Sequence, residues 1–106
     1  MLFNVEMQKQ AIREERLEKA AFILKAVAHP VRLAVIELLA VNEKLGVNEF
    51  CEQLGCEQSL MSHHLITMKL KGILGSNKDG LNVYYFLKER EIIKLITCIE
   101  NCDCNM

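Results

Sequence analysis

Two groups of residues in this sequence have the types and spacing that can carry out chemistry. The first is a run of polar side chains at the start of the segment QSLMSHHLITMKLKGIL, which spans 58–74. The second is the cysteine cluster, which we define as Cys98, Cys102 and Cys104 near the C-terminus. Hydroxyl, amide and imidazole groups suit hydrogen bonding, whereas clustered thiols suit soft metal ions or redox chemistry.

Spacing favours a functional interpretation of the cysteine cluster. Cys98 and Cys102 are four residues apart, so a helix would place them on one face, and a frayed end would let Cys104 fold back to them. Three close thiolates bind soft ions, and two or three close thiols form a disulfide or polysulfide on oxidation. The competing hypothesis is a tail without fixed structure, but three cysteines in seven positions is a strong local enrichment.

The other two cysteines, Cys51 and Cys56, fall in a pattern that suits small inward side chains. A buried, reduced cysteine acts as a small hydrophobic residue, and we favour this packing role for both. The odd total of five cysteines argues against a closed disulfide framework. The N-terminus MLFNVEMQKQ lacks a signal-peptide pattern and no run of about 18 apolar residues occurs, so we expect a cytoplasmic protein with no membrane partner.

Composition limits the class of protein. A length of 106 residues predicts one domain, and 51% apolar residues with only 6% aromatic is high for a small soluble chain. The surplus apolar surface predicts a homodimer. A net charge of −1 lacks the basic footprint typical of nucleic-acid binding, but local charge matters more than the sum. We expect no enzyme, because there is no glycine-rich phosphate loop and no set of nucleophile, base and acid.

Hydrophobic periodicity and turn residues predict the elements that position these groups. Pro30 suits the first turn of a helix, Gly55 is a natural C-cap, and Asp79-Gly80 is a strong tight-turn signal. The predicted order is a helix over 8–29, a helix over 31–40, a loop over 41–46, helices over 47–54 and 58–71, a hairpin over 73–87 and a last helix over about 88–102. The inward face of the fourth helix is expected to hold Leu60, Met61, His64, Leu65, Met68 and Leu70.

Two short helices joined by a tight glycine turn, just before a hairpin, are typical of a winged helix-turn-helix. The expected fold class is therefore mainly α (α+β), with five helices plus a two-stranded β-hairpin wing in a dimer. We expect a single domain over 1–106, with the helix-turn-helix at 47–71 and the wing at 73–87.

Three stretches carry a resemblance to a known family: AVAHPVRLAVIELL at 26–39, VNEFCEQLGCEQSLMSHHLITMKLKGIL at 47–74 and GLNVYYFL at 80–87. In this order and spacing they resemble the ArsR-type family of winged-helix repressors, which are metal- and thiol-responsive dimers. The resemblance implies that 58–71 is a recognition helix and that the first and fifth helices form most of the dimer interface. It also implies that two recognition helices read an inverted-repeat operator in double-stranded DNA, one helical turn apart.

The recognition helix and wing then supply the candidate DNA contacts. Early polar positions of the helix can face the major groove, while lysines and the wing pair with phosphates. The expected contacts are Gln58, Ser59, Ser62, His63, Lys69, Lys71, Asn77 and Lys78. For Lys69 and Lys71 the alternative is solvated charge without a DNA role. His64 is expected to pack inward, and it cannot easily share a metal with His63 because adjacent helical residues point about 100° apart.

The family's usual metal site on the last helix does not carry over. By alignment through VYYFL its positions fall on Glu89, Glu91, Cys102 and Asn105, so both histidines and the final acid are missing. The paired-cysteine arsenic motif is also absent, since only Cys51 lies in the third helix.

The resemblance implies no obligatory cofactor. We expect a repressor that leaves its DNA when an effector reacts with the cysteine cluster. The effector would be a soft metal or metalloid ion (Zn, Cd, Cu(I) or As(III)), reactive sulfur or an oxidant. Two alternatives stay open. One is a winged-helix regulator without small-molecule sensing, whose cysteines pack or hold structural zinc. The other is a protein-interaction module on the same fold.

Overall fold

The computed structural model describes residues 2–102, with side chains from residue 5 onward. The elements are α1 Leu2–Val27, α2 Pro30–Val41, β1 Leu45–Gly46, α3 Val47–Leu54, α4 Gln58–Leu70, β2 Leu74–Asp79, β3 Asn82–Leu87 and α5 Glu91–Glu100. Five helices and an antiparallel wing confirm the predicted winged helix-turn-helix. No helix within this range is long and apolar enough to cross a membrane.

The core lies between α2, α3, α4 and the base of the wing. Its fully buried side chains include Phe50 of α3 and Leu65 of α4. On α4 the predicted inward positions Met61, His64, Leu65 and Met68 are confirmed as buried. The inward placement of Leu60 and Leu70 is wrong, because these side chains are 49% and 81% exposed. At about 100° per residue, both lie well outside the stripe centred on Met61 and Met68.

Residues at both ends of α3 cap this helix, and the second cap sets the turn into α4. The Glu49 side-chain Oε1 accepts a hydrogen bond from the Gly46 backbone N–H at 3.0 Å, which holds the start of α3. At the other end Gly55 has φ of 62°, in the left-handed region, and its N–H donates to the Cys51 carbonyl at 2.9 Å. This confirms the predicted C-cap and lets α4 begin at Gln58, only a few residues later.

The wing is an antiparallel hairpin of β2 and β3, with Asp79 opposite Asn82 and the turn at Gly80, whose φ is 64°. The predicted hairpin is confirmed, but the predicted loop over 41–46 is wrong at its end. There β1 pairs with β3 through Leu45 opposite Tyr85, so the sheet has three strands in the order β1-β3-β2. A two-residue strand is too short to show the alternation on which the sequence prediction depended.

The first helix projects from the rest of the molecule. The radius of gyration is 17.2 Å, against about 13 Å for a compact chain of this size. Among the described side chains of α1, from residue 5 onward, the buried ones are Ala26 and Val27, at its C-terminal end. The predicted end at residue 29 is two residues too long, because His29 is the N-cap of α2 and its Nδ1 accepts from the Val31 N–H. Similarly, α5 is shorter than the predicted 88–102.

Candidate nucleic-acid interface

Helix α4, the predicted recognition helix, presents one face to solvent. Helical spacing places Ser59, His63, Ile66 and Leu70 opposite the buried stripe, and all four are exposed. The first half of this outward face is therefore polar and the second half apolar. Sequence reasoning missed Ile66, although counting in steps of three and four from Ser59 would have found it. An apolar side chain here can contact a thymine methyl group in the major groove.

The early polar residues lie in the first two turns of α4. Gln58, Ser59 and His63 are exposed, and Ser62 is half-buried at the edge of the outward face. The Ser59 Oγ donates a hydrogen bond to the Glu57 Oε1 at 2.5 Å. This bond uses the hydroxyl proton, so Ser59 presents an acceptor to its surroundings. The Glu57 carboxylate also adds negative charge beside the first turn of α4.

The cationic candidates are not equivalent. Lys69 and Lys78 are exposed, as is Asn77 on the wing. Lys71 is exposed too, but its Nζ lies 4.9 Å from the centre of the Phe22 ring on α1. Such a cation–π contact is worth about 0.5–1 kcal/mol at an exposed site. The structure therefore brings Lys71 to α1, while the other two lysines stay available.

A buried polar link fixes the inner side of α4. The Arg32 Nε donates to the His64 Nδ1 at 3.1 Å, and its Nη1 donates to the Ala26 carbonyl at 2.9 Å. Arg32 thereby joins the end of α1 and the start of α2 to the recognition helix. Because Nδ1 accepts a hydrogen bond, His64 is neutral and carries its proton on Nε2. Neither the role of Arg32 nor its partner was foreseen from the sequence.

The environment of His64 disfavours its charged form. Its side chain is 3% exposed, which confirms the predicted packing role, but its Nε2 has no hydrogen-bond partner among the described residues. Burial lowers the pKa of His64 below 6.5, and the charges of His29, Arg32 and His63 lower it further. The His29 ring is centred 4.5 Å from that of His64. A histidine held neutral in this way serves positioning rather than phosphate binding.

The cysteine cluster is only partly described. Cys98 and Cys102 are exposed, and Cys104 lies outside the described residues. Because α5 ends at Glu100, Cys102 lies just beyond the helix, with its N–H donating to the Ile99 carbonyl at 3.1 Å. Within residues 2–102 no group of three or more His, Cys, Asp or Glu residues is placed to hold a metal ion. The three-thiol site stays a prediction.

The two cysteines of the helix-turn-helix have the predicted packing role. Cys51 and Cys56 are half-buried and pack against the core. Burial raises the pKa of the Cys51 thiol, and nearby Cys56 and Glu52 raise it further. A thiol kept protonated is a poor nucleophile and a poor metal ligand. Cys51 therefore acts as a small hydrophobic side chain, and Cys56 packs against the same core.

The chain is similar to known transcriptional regulators over most of its length. It is 42% identical over 85 residues to an HTH-type transcriptional regulator of Methanocaldococcus jannaschii, with 77% of this chain and 96% of that protein covered. It is 38% identical over 87 residues to the transcriptional repressor PagR of Bacillus anthracis, with 79% and 87% covered. No family model matches the chain.

Solved structures agree with these sequence relatives. The crystal structure of PagR has a TM-score of 0.72 at 32% identity and covers 81% of this chain and 98% of its own. Reduced HlyU from Vibrio cholerae has a TM-score of 0.74 at 29% identity, with 88% and 97% covered. Because relatives above 30% identity extend over so much of the chain and share its fold, the chain belongs to the ArsR family of DNA-binding winged helix-turn-helix transcriptional regulators, which are not enzymes.

Proposed function

We propose that this chain is a homodimeric repressor that binds an inverted-repeat operator through α4 and the wing. In this proposal a thiol-reactive effector at the cysteine cluster releases the protein from DNA. The effector would be a soft metal or metalloid ion, reactive sulfur or an oxidant. The reduced, metal-free form would bind the operator in the cytoplasm and block transcription.

The exposed polar N-terminal end of α4 carries the DNA-binding part of the proposal. Gln58, Ser59 and His63 are exposed side chains with hydrogen-bonding groups, on a helix whose other side is fixed by the core and by Arg32. A rigid helix with an exposed polar end is what major-groove reading requires. Asn77 and Lys78 extend from the wing as candidate backbone contacts.

Operator binding can be tested by fluorescence anisotropy on the chain's own promoter DNA. We expect His63→Ala to lose about 1–3 kcal/mol of discrimination against a changed base pair. Lys69→Ala should weaken binding to all sequences and reduce the slope of log affinity against log salt by about 1 per subunit, or about 2 for the dimer. Lys71→Ala should change that slope less, because its Nζ lies on the Phe22 ring. Equal affinity of the His63→Ala and parent proteins on every sequence would refute the placement of α4.

Exposed apolar side chains on two helices support a dimer. The projecting α1 is about 39 Å long at 1.5 Å per residue, and most of it has no neighbour in the same chain. The large apolar residues exposed on α1 and α5, among the side chains that the structure describes, are Val5, Met7, Ile12, Leu17, Phe22, Leu24, Leu95 and Ile99. Covering them with a second copy would remove this surface from water.

A charge placed on these helices tests the dimer. Leu24→Asp or Leu95→Asp should shift sedimentation toward the monomer, because each would bury a carboxylate in an apolar interface. Val41→Asp is the matched control, since Val41 is 82% exposed at the end of α2. If the Leu24 and Leu95 variants sediment as the control does, these helices do not form the interface.

The effector part of the proposal depends on the cysteine cluster. Cys98 and Cys102 are exposed at the end of α5, beside the expected dimer interface, where a small rearrangement would alter the spacing of the two recognition helices. A coupling of about 1–3 kcal/mol between the two sites is typical and changes affinity about 5- to 150-fold.

A titration with candidate effectors distinguishes a thiol sensor from a regulator that responds to no small molecule. The reduced protein on DNA is exposed in turn to Zn(II), Cd(II), Cu(I), arsenite and a persulfide donor. We expect one of them to lower affinity at least about tenfold, or 1.4 kcal/mol. The triple Cys98→Ser, Cys102→Ser, Cys104→Ser variant should bind DNA but ignore that effector, whereas the control Cys56→Ser should respond. A normal response by the triple variant would refute the thiol-sensor hypothesis.

A further inference from the structure

A cleft separates the wing from the first turns of α3 and α4, with a volume of about 300 Å³. Three side-chain amides from three different elements line it: Asn48 of α3, Gln58 of α4 and Asn82 of β3. Gln58 also belongs to the proposed DNA-reading end of α4. The cleft is therefore continuous with the face that meets DNA.

The short first strand creates this cleft. β1 pairs with β3 only through Leu45 opposite Tyr85 and Gly46 opposite Tyr84. The chain then turns into α3, so the outer part of β3 has β2 along one edge and the cleft along the other. The open edge of the wing consequently faces the starts of both helices of the helix-turn-helix.

The lining is almost neutral and its amides are available. Its one charged residue is Glu49, whose Oε1 accepts from the Gly46 N–H at 3.0 Å and so caps α3. Asn48, Gln58 and Asn82 are exposed, and none of their amide groups is hydrogen-bonded to another described residue. Leu81, 99% exposed, provides an apolar wall at the tip of the wing.

We propose that this cleft holds one sugar–phosphate segment of the operator, on the strand that passes between α4 and the wing. The amide N–H groups of Asn48, Gln58 and Asn82 donate to phosphate oxygens, and Leu81 packs against the deoxyribose. Amide side chains are common phosphate ligands in DNA complexes, and they position the protein without reading sequence. The proposal rests on the placement of α4 against DNA given above.

Neutral donors have a measurable signature. A lysine that pairs with a phosphate releases counterions, so its removal changes the salt dependence of binding. An amide contact releases none, so its removal lowers affinity while the slope of log affinity against log salt stays the same. In this way a chain with a net charge of −1 can bind the DNA sugar–phosphate backbone without a basic surface.

The test measures operator affinity at several salt concentrations for Asn48→Ala and Asn82→Ala. Each should weaken binding roughly three- to tenfold per subunit, the size of one hydrogen bond, and so about ten- to a hundredfold for the dimer, with an unchanged salt slope. Asn101→Ala, at the exposed end of α5, is the matched control and should bind as the parent does. Lys69→Ala gives the contrasting change in slope. Since both asparagines are exposed, all variants should keep the parent's thermal unfolding.

A second arm replaces single operator phosphates by uncharged methylphosphonates. One substitution should weaken the parent strongly but weaken the Asn48→Ala, Asn82→Ala double variant much less. If both asparagine variants bind as the parent does at every salt concentration, or reduce the slope as Lys69→Ala does, the cleft proposal is overturned. If they bind normally while His63→Ala is impaired, only the cleft fails. If His63→Ala also binds normally, the placement of α4 fails with it.

Discussion

Removing the guanidinium of Arg32 should destabilise the fold and loosen the recognition helix. Its Nε and Nη1 donate to the His64 Nδ1 and the Ala26 carbonyl, at 3.1 and 2.9 Å. Both acceptor residues are almost fully buried, at 3% and 2% exposed. In Arg32→Met the aliphatic stem is kept while both donors are lost, so the effect isolates the hydrogen bonds.

The size of this effect follows from the burial of the acceptors. A buried acceptor left without a donor costs about 1–3 kcal/mol, and two acceptors are affected here. Because the Arg32 side chain is itself only partly buried, water can replace part of what it donates. We therefore expect the free energy of unfolding to fall by about 3 kcal/mol. That is a large share of the about 5–15 kcal/mol available to a small domain.

The assay is urea unfolding at one fixed protein concentration, since the stability of a dimer depends on concentration. Arg90→Met, at an exposed arginine, is the matched control and should change stability by less than about 0.5 kcal/mol. A double-mutant cycle with His64→Leu should give a coupling free energy of about 1.5–3 kcal/mol, as for a hydrogen bond from a charged donor. Additive effects, or an Arg32→Met value equal to that of the control, would refute the proposed link.

Three further perturbations test other parts of the fold. The pKa of His64 is lowered below 6.5, chiefly by burial, so the unfolded chain binds this proton more readily, and the free energy of unfolding should be highest above pH 6.5 and fall as the pH drops toward the folded-state pKa. His64→Gln should flatten that part of a urea-unfolding pH profile. Gly75→Ala should lower the free energy of unfolding by about 1–3 kcal/mol in thermal unfolding, because an added Cβ would meet Phe86 ring carbons at 2.7 and 2.9 Å. The smaller side chain of Phe86→Leu should recover part of this loss, and no recovery would count against the reasoning. Gly55→Ala should lower the free energy of unfolding by about 1–2 kcal/mol through its φ of 62° alone, since an added Cβ there meets nothing within 4 Å. Gly55→Asn should lower it less, and an unchanged unfolding midpoint for Gly55→Ala would contradict this explanation.

Local signals explain why the helix-turn-helix was predictable. The structure has α3 at Val47–Leu54, as predicted, and α4 at Gln58–Leu70, one residue shorter than predicted. Gly55 and the Asp79-Gly80 pair mark turns by their own backbone preferences, so neighbouring residues were enough to place them. The exposure of Leu60 and Leu70 was not predictable from hydrophobicity alone, because an apolar side chain does not show by itself which side of a helix it occupies.

The sequence predicted which helix or strand carries each candidate DNA contact. It did not predict which neighbouring side chains each of these residues contacts. The sequence placed Lys71 late in the recognition helix, whereas its contact with the Phe22 ring depends on how α1 crosses α4. The cleft that brings Asn48 and Asn82 to the side of Gln58 depends in turn on a strand of two residues, which exists only because β3 is there to pair with it.

By itself the sequence determined the order of the elements, the turns between them and the resemblance to a repressor family, because periodicity, capping and turn preferences act over a few residues. The tertiary structure alone decided that Arg32 meets His64, 32 residues away, and that three amides share one cleft. Contacts at such separations depend on how the helices and the wing pack around the common core. That packing is a property of the whole chain, and no local stretch of the sequence specifies which partners it brings together.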